Sequence, residues 1–191
     1  MRTTKLLMAL GAAALSLAAS LAQAQVVKLS TTLGDIRIQL EPEKAPKTVA
    51  NFIGYVKAGH YNGVIFHRVI DGFMVQTGGY TAKLEQRPTK PPIPLEAGNG
   101  LLNNRGTVAM ARMNEPNTAT SQFFINVVDN PGLDPGFSPD GRGYAVFGHV
   151  IEGMEVVDKI RATPTTARNA IFQNLPTTPI FINKATVENK P

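Results

Sequence analysis

The run Phe66–Gln76, FHRVIDGFMVQ, constrains this chain more than any other. Apolar and polar residues alternate imperfectly through it, and Asp71-Gly72 supplies a turn signal, so it reads as strand, tight turn, strand. Its composition is unusual for a core hairpin. Arg68 interrupts an apolar strand, and Gln76 lies just beyond Phe73 and Met74. A guanidinium and an amide among large apolar groups describe a shallow apolar site with a few fixed donors, the usual build of a binding cleft. The competing account is an edge hairpin whose Arg68 lays its stem over the core and its charge in water.

The rest of the chain is short strands broken by loops. Val26–Ser30 and Asp35–Leu40 alternate as an opening hairpin around Leu33-Gly34, with Ile36, Ile38 and Leu40 on one face. A helix is predicted to start near Pro46–Thr48, because Val49, Phe52, Ile53 and Val56 form one apolar stripe, and to stop at Gly59. Thr77–Gly100 contains Pro88, Pro91, Pro92 and Pro94 and reads as an irregular loop. Gly106–Arg112, Ser121–Val128, Tyr144–Ile151 and Ile180–Val187 read as further strands. Met113–Thr120 and Asp129–Gly143 are loops, Met154–Arg161 is a second short helix, and Ala162–Pro179 is irregular. Many strands with two helices fit a closed β architecture, in which closure removes exposed edges; spacing alone does not separate a barrel from a sandwich.

The N-terminus reads as an export leader. Arg2 and Lys5 precede the apolar run Leu6–Leu21, and Ala22-Gln23-Ala24 supplies a small-x-small cleavage pattern. The run is short for a membrane span of about twenty residues. A leader over residues 1–24 and a single domain over 25–191 are the expectation, with a mature start at Gln25. Loss of Arg2 and Lys5 takes the formal charge from +5 to +3. With no Lys/Arg block and no aromatic-rich basic run, nucleic-acid binding is not expected. Cysteine is absent, so there is no disulfide framework, thiol nucleophile or thiolate metal site. His60, His67 and His149 lack zinc-motif spacing, and neither metal nor cofactor is expected.

FHRVIDGFMVQ, GTVAMAR over Gly106–Arg112 and SQFFINV over Ser121–Val127 together resemble the cyclophilin family of peptidyl-prolyl cis–trans isomerases. TVANFIGYVKAGHY, within Pro46–Tyr61, and YAVFGH at Tyr144–His149 resemble it too, so the similarity runs from about Val26 to about Glu188. The resemblance implies a mainly β fold, a closed eight-stranded antiparallel β-barrel capped by two α-helices, with the substrate in a groove on its outside. It implies Arg68 as the catalytic donor and Phe73, Met74, Phe124 and Leu133 as the apolar pocket for proline. It further implies that Gln76 holds Arg68 or bonds the substrate backbone, that Phe66 lines the same face, and that Ala111 and Gln122 form the neighbouring subsite. His67 reads as structural, since rotation transfers no proton.

Three positions depart from the family pattern. Arg112 stands where many members carry Asn, Gly132 where many carry Trp, and Tyr144 where many carry His. The first puts one substrate contact of Arg112 in doubt, and the second predicts weak cyclosporin binding. Tyr144 can still wall the pocket and donate a hydrogen bond. These changes resemble the bacterial exported branch, so a periplasmic location is expected, with full secretion as the alternative. The expected partners are proline-containing unfolded or flexible polypeptides, bound by a monomer without stable membrane association. A proline-segment-binding chaperone or adaptor without turnover is the second functional reading.

Overall fold

The structure is a computed structural model and describes residues 25–188. The leader expected over residues 1–24 lies outside the described residues. The chain opens with β1 (Val26–Thr31) and β2 (Gly34–Leu40), paired antiparallel with Leu29 opposite Ile36 and Val27 opposite Ile38. The period-2 alternation sends Ile36, Ile38 and Leu40 inward, all fully buried. Helix α1 (Pro46–Lys57) follows, with proline in its first turn where no N–H is needed. Its free N-terminal donors are met from a distance: the Glu96 carboxylate accepts from the backbone N–H groups of Lys47 and Thr48, at 3.1 and 2.8 Å, and from the Thr48 hydroxyl at 2.7 Å. The proline-rich loop thus returns to cap the helix.

Five short strands carry the middle of the chain: β3 (Val64–Ile65), β4 (Arg68–Ile70), β5 (Met74–Thr77), β6 (Thr107–Met110) and β7 (Phe123–Asn126). Then come β8 (Val146–Glu152), α2 (Met154–Arg161), the two-residue strands β9 (Thr165–Thr166) and β10 (Leu175–Pro176), and β11 (Phe181–Glu188). Nine strands form one sheet in the order β3-β11-β1-β2-β8-β6-β7-β5-β4, and β9 and β10 pair separately. The pairings are antiparallel throughout.

The resemblance implies eight strands, and the ninth is β3. The chain pairs with β11 as far as Phe66, whose N–H donates to Ile180 O at 3.0 Å, then shifts to β5, where the His67 N–H donates to Gln76 O at 3.1 Å. The two strands at opposite ends of the sheet order are therefore separated in sequence by only Phe66 and His67. Val64 also bridges Thr81, beyond the end of β5. Curled in this way, the sheet has an inside and an outside.

The inside is one apolar core. Phe52 of α1 packs against Tyr61, Phe123 and Phe147 at ring-centroid distances of 5.3, 5.2 and 5.0 Å. A second, smaller cluster forms on the outer face from Met74, Ala109, Phe124 and Val146, with Phe73, Leu133 and Tyr144 partly buried against it. Adjacent residues on β7 belong to different clusters, Phe123 inside and Phe124 outside. The outer cluster is where the candidate site lies.

Candidate active site

β4 and β5 pair with Arg68 opposite Gln76, and β5 pairs with β7 with Gln76 opposite Phe124. Three residues of the two sequence blocks thus lie side by side across three strands. Arg68, Gln76, Phe73 and Met74 edge a cavity of about 180 Å³, with Ala111, Arg112, Phe124, Leu133 and Tyr144 on its other sides. Phe124 and Tyr144 meet edge to face, centroids 5.9 Å apart. The Arg68 guanidinium lies 5.8 Å from the centre of the Phe73 ring and donates weakly to Gln76 Oε1 at 3.4 Å and Met74 Sδ at 3.6 Å. It forms no ion pair among the described residues. Burial pulls its pKa down from the ordinary arginine value, but an arginine remains charged.

Nine of the residues expected at the site line this cavity; Phe66 and Gln122 do not. Phe66 is buried in the inner core: the strand breaks at Phe66-His67, where pairing passes from Ile180 to Gln76, so the alternation that would put Phe66 on the face of Arg68 does not carry across. It packs the fold and does not touch the cavity. Gln122 stands one residue behind, where its Oε1 accepts from Gln76 Nε2 at 2.9 Å, completing a relay from Arg68 through Gln76 to Gln122. Gly79 leaves room for this amide, since a Cβ there would come within 2.7 Å of Gln122 Cδ.

Arg112 has a different environment from the one its sequence position suggested. Its side chain is only 2% exposed, pairs with Asp140 at 2.7 Å and lies 4.6 Å over the Tyr144 ring. Nε donates to Gly143 O at 3.0 Å. It braces the tyrosine that walls the cavity.

A buried polar network behind the site was not legible in the sequence. The Asp134 carboxylate accepts from the Asn103 N–H at 2.7 Å and from Asn103 Nδ2 at 2.9 Å, and the same Nδ2 reaches Leu133 O at 3.2 Å. Asn126 links Asn103 to Asn130, whose Nδ2 donates to Phe73 O at 2.8 Å. The network ties the Leu133 wall to the Phe73 wall. Nothing in the spacing of Asn103, Asn126, Asn130 and Asp134 along the sequence marks them as partners.

A family model described as cyclophilin type peptidyl-prolyl cis-trans isomerase/CLD matches residues 26–187. The chain belongs to the cyclophilins. This cyclophilin is 52% identical over 164 residues to peptidyl-prolyl cis-trans isomerase A of Dickeya dadantii (strain 3937), covering 86% of this chain and 85% of the relative. It is 50% identical over 163 residues to peptidyl-prolyl cis-trans isomerase B of Escherichia coli (strain K12), covering 85% and 99%. Among solved structures, a Cryptosporidium parvum cyclophilin type isomerase crystallised in the presence of the dipeptide Ala-Pro superimposes with a TM-score of 0.72 at 27% identity, covering 87% of this chain and 100% of that one. The cyclophilin is a peptidyl-prolyl cis–trans isomerase by family, and the family takes proline-containing peptides as substrates.

His67, next to Arg68 in this cyclophilin, is structural in its surroundings. It is buried, sits edge to face with Tyr80 at 4.8 Å and Phe172 at 6.4 Å, and its Nδ1 has no hydrogen-bond partner. Burial, helped by the charge on Arg68, lowers its pKa to about 4. The folded state therefore disfavours the proton that the unfolded chain accepts below an ordinary value of 6.5. Stability from this group is complete above pH 6.5 and falls as pH drops toward 4, by about 3 kcal/mol in all. Urea unfolding at pH 7 and pH 4.5 is expected to show this loss, and His67→Gln to show less of it. An equal loss in the variant excludes His67 as its source.

Proposed function

We propose that this cyclophilin accelerates rotation about X-Pro bonds in exported polypeptides, with Arg68 as the donor that favours the twisted state. The observation that carries the reading is a half-buried guanidinium, without an ion-pair partner among the described residues, at the edge of an apolar cavity. A peptide bond resists rotation by ~18–20 kcal/mol because the nitrogen lone pair is delocalised into the carbonyl. At the top of the barrier that lone pair is localised, or the carbonyl oxygen has swung out of plane. A rigid cationic donor placed there binds the twisted amide better than either planar form, which is what lowers a barrier.

Each side of the cavity has a part in this. Phe73, Met74, Phe124, Leu133 and Tyr144 hold the proline ring still while the preceding residue turns. Gln76, anchored by Gln122, limits the swing of Arg68 and offers an amide to the substrate backbone. No bond breaks and no proton moves. Exchange between cis and trans Ala-Pro-Phe peptide, measured by NMR with the purified protein, tests the activity. Faster exchange supports it; binding without acceleration would replace it with a proline-binding chaperone or adaptor.

The proposal extends to a monomer without stable membrane association, working in the periplasm, with weak affinity for cyclosporin because Gly132 offers no side chain beside Leu133. Among the described residues no helix is long and apolar enough to cross a membrane. The leader reading predicts that protein recovered from the periplasmic fraction of a bacterial host begins at Gln25. Terminal sequencing that finds Met1 on exported protein would overturn it.

A further inference from the structure

Beyond the Arg112–Tyr144 stack lies a second cavity, of about 370 Å³, lined by Arg112, Asn114, Pro139, Asp140 and Tyr144. It shares Arg112 and Tyr144 with the smaller cavity, so one guanidinium and one ring, 4.6 Å apart, divide the two. The dividing wall is fixed from several directions. Arg112 donates to Gly143 O at 3.0 Å, Met113 O at 2.9 Å and Asn114 O at 3.2 Å, and pairs with Asp140 at 2.7 Å. Asp140 also accepts from the Ser138 hydroxyl at 2.9 Å and the Arg142 N–H at 3.0 Å. Neither charge in the cavity is left unbalanced.

The rim is apolar. Phe137 and Met113, 77% and 76% exposed, are the two most exposed large apolar side chains among the described residues. Met113 lies between the lining residues Arg112 and Asn114, and Phe137 lies two residues before Pro139. They stand on separate loops that Arg112 holds together. Large apolar groups left in water next to a cavity that shares a wall with the substrate cavity mark a surface that takes apolar partners.

We propose that this second cavity is a substrate subsite taking an aromatic or large aliphatic side chain about two residues along the peptide from the proline. The inference rests on the isomerase reading above. The spacing follows from the wall: an extended chain advances roughly 3.3 Å per residue, so about two residues clear a ring and a guanidinium. An acidic side chain is disfavoured, because Arg112 is already neutralised and the newcomer meets Asp140.

The test uses Ala-Pro peptides carrying Phe, Gly or Glu at successive positions on either side of the core. Exchange rates and peptide Kd are measured with the wild-type protein and with the double variant Met113→Ser/Phe137→Ser. At one position Phe is expected to exceed Gly about tenfold in kcat/KM and in affinity, as partial burial of a large apolar side chain implies. Glu is expected to show no gain. The double variant is expected to cut the Phe-to-Gly ratio to about threefold or less on the same argument. Equal rates and affinities for Phe and Gly at every position, an undiminished preference in the variant, or a preference for Glu would each overturn the subsite. The Kd comparison reads the subsite even where exchange is not accelerated, so failure of the isomerase reading is distinguishable from failure of this one.

Discussion

Arg68→Ala is expected to slow catalysed cis–trans exchange of an Ala-Pro-Phe peptide by about 10²–10³-fold, the usual loss when a single transition-state donor is removed. The variant should keep the fold, since Arg68 is half-buried on the outer face and its contacts are a long bond to Gln76 and one to Met74 sulfur. The cavity walls do not depend on it. The loss should therefore fall on kcat more than on KM, as for a contact made only in the transition state. Arg68→Lys should recover only part, because an ammonium supplies charge without the rigid fork. NMR exchange with circular dichroism as the control for folding decides it. Full activity in the alanine variant would leave the enzyme in place and remove Arg68 from its mechanism.

Phe66→Ala is expected to act on stability instead, by about 3–5 kcal/mol, the cost of emptying a large aromatic site in a packed core. Phe66 is fully buried in the inner core two residues from the catalytic candidate. Urea unfolding reads the loss, and exchange per folded molecule should stay near the wild-type value because the side chain does not reach the cavity. A variant that unfolds normally yet loses activity would return Phe66 to the site.

These two residues show what could be read from the chain and what could not. Arg68 and Gln76 were legible as polar residues out of place in apolar strands and Phe124 through the resemblance of its SQFF block, and the pairing of β4, β5 and β7 brings them side by side. Phe66 lies in the same block, but a block does not reveal which way each side chain points until the strand break at Phe66-His67 is known. Both helices were legible from their apolar stripes, α2 with the bounds observed. β3, β9 and β10 were not, since two-residue strands have no period. Asn103, Asn126, Asn130 and Asp134 stayed hidden for another reason: their chemistry emerges only when distant loops fold over one another. Arg112 was noticed as a departure, but its partners Asp140 and Tyr144 are set by the path of a loop.

The placement of β1 between β2 and β11 has a consequence for how the molecule is made. Val26 pairs with Glu188, so the first described strand gains its second neighbour only when the last one has arrived. β3 likewise waits for β11. Until then a growing or translocating chain carries open strand edges, which are templates for pairing with other chains. Contacts between sequence-distant strands also form slowly. The last described strand is thus a latch: one late arrival gives β1 its second neighbour and β3 its partner.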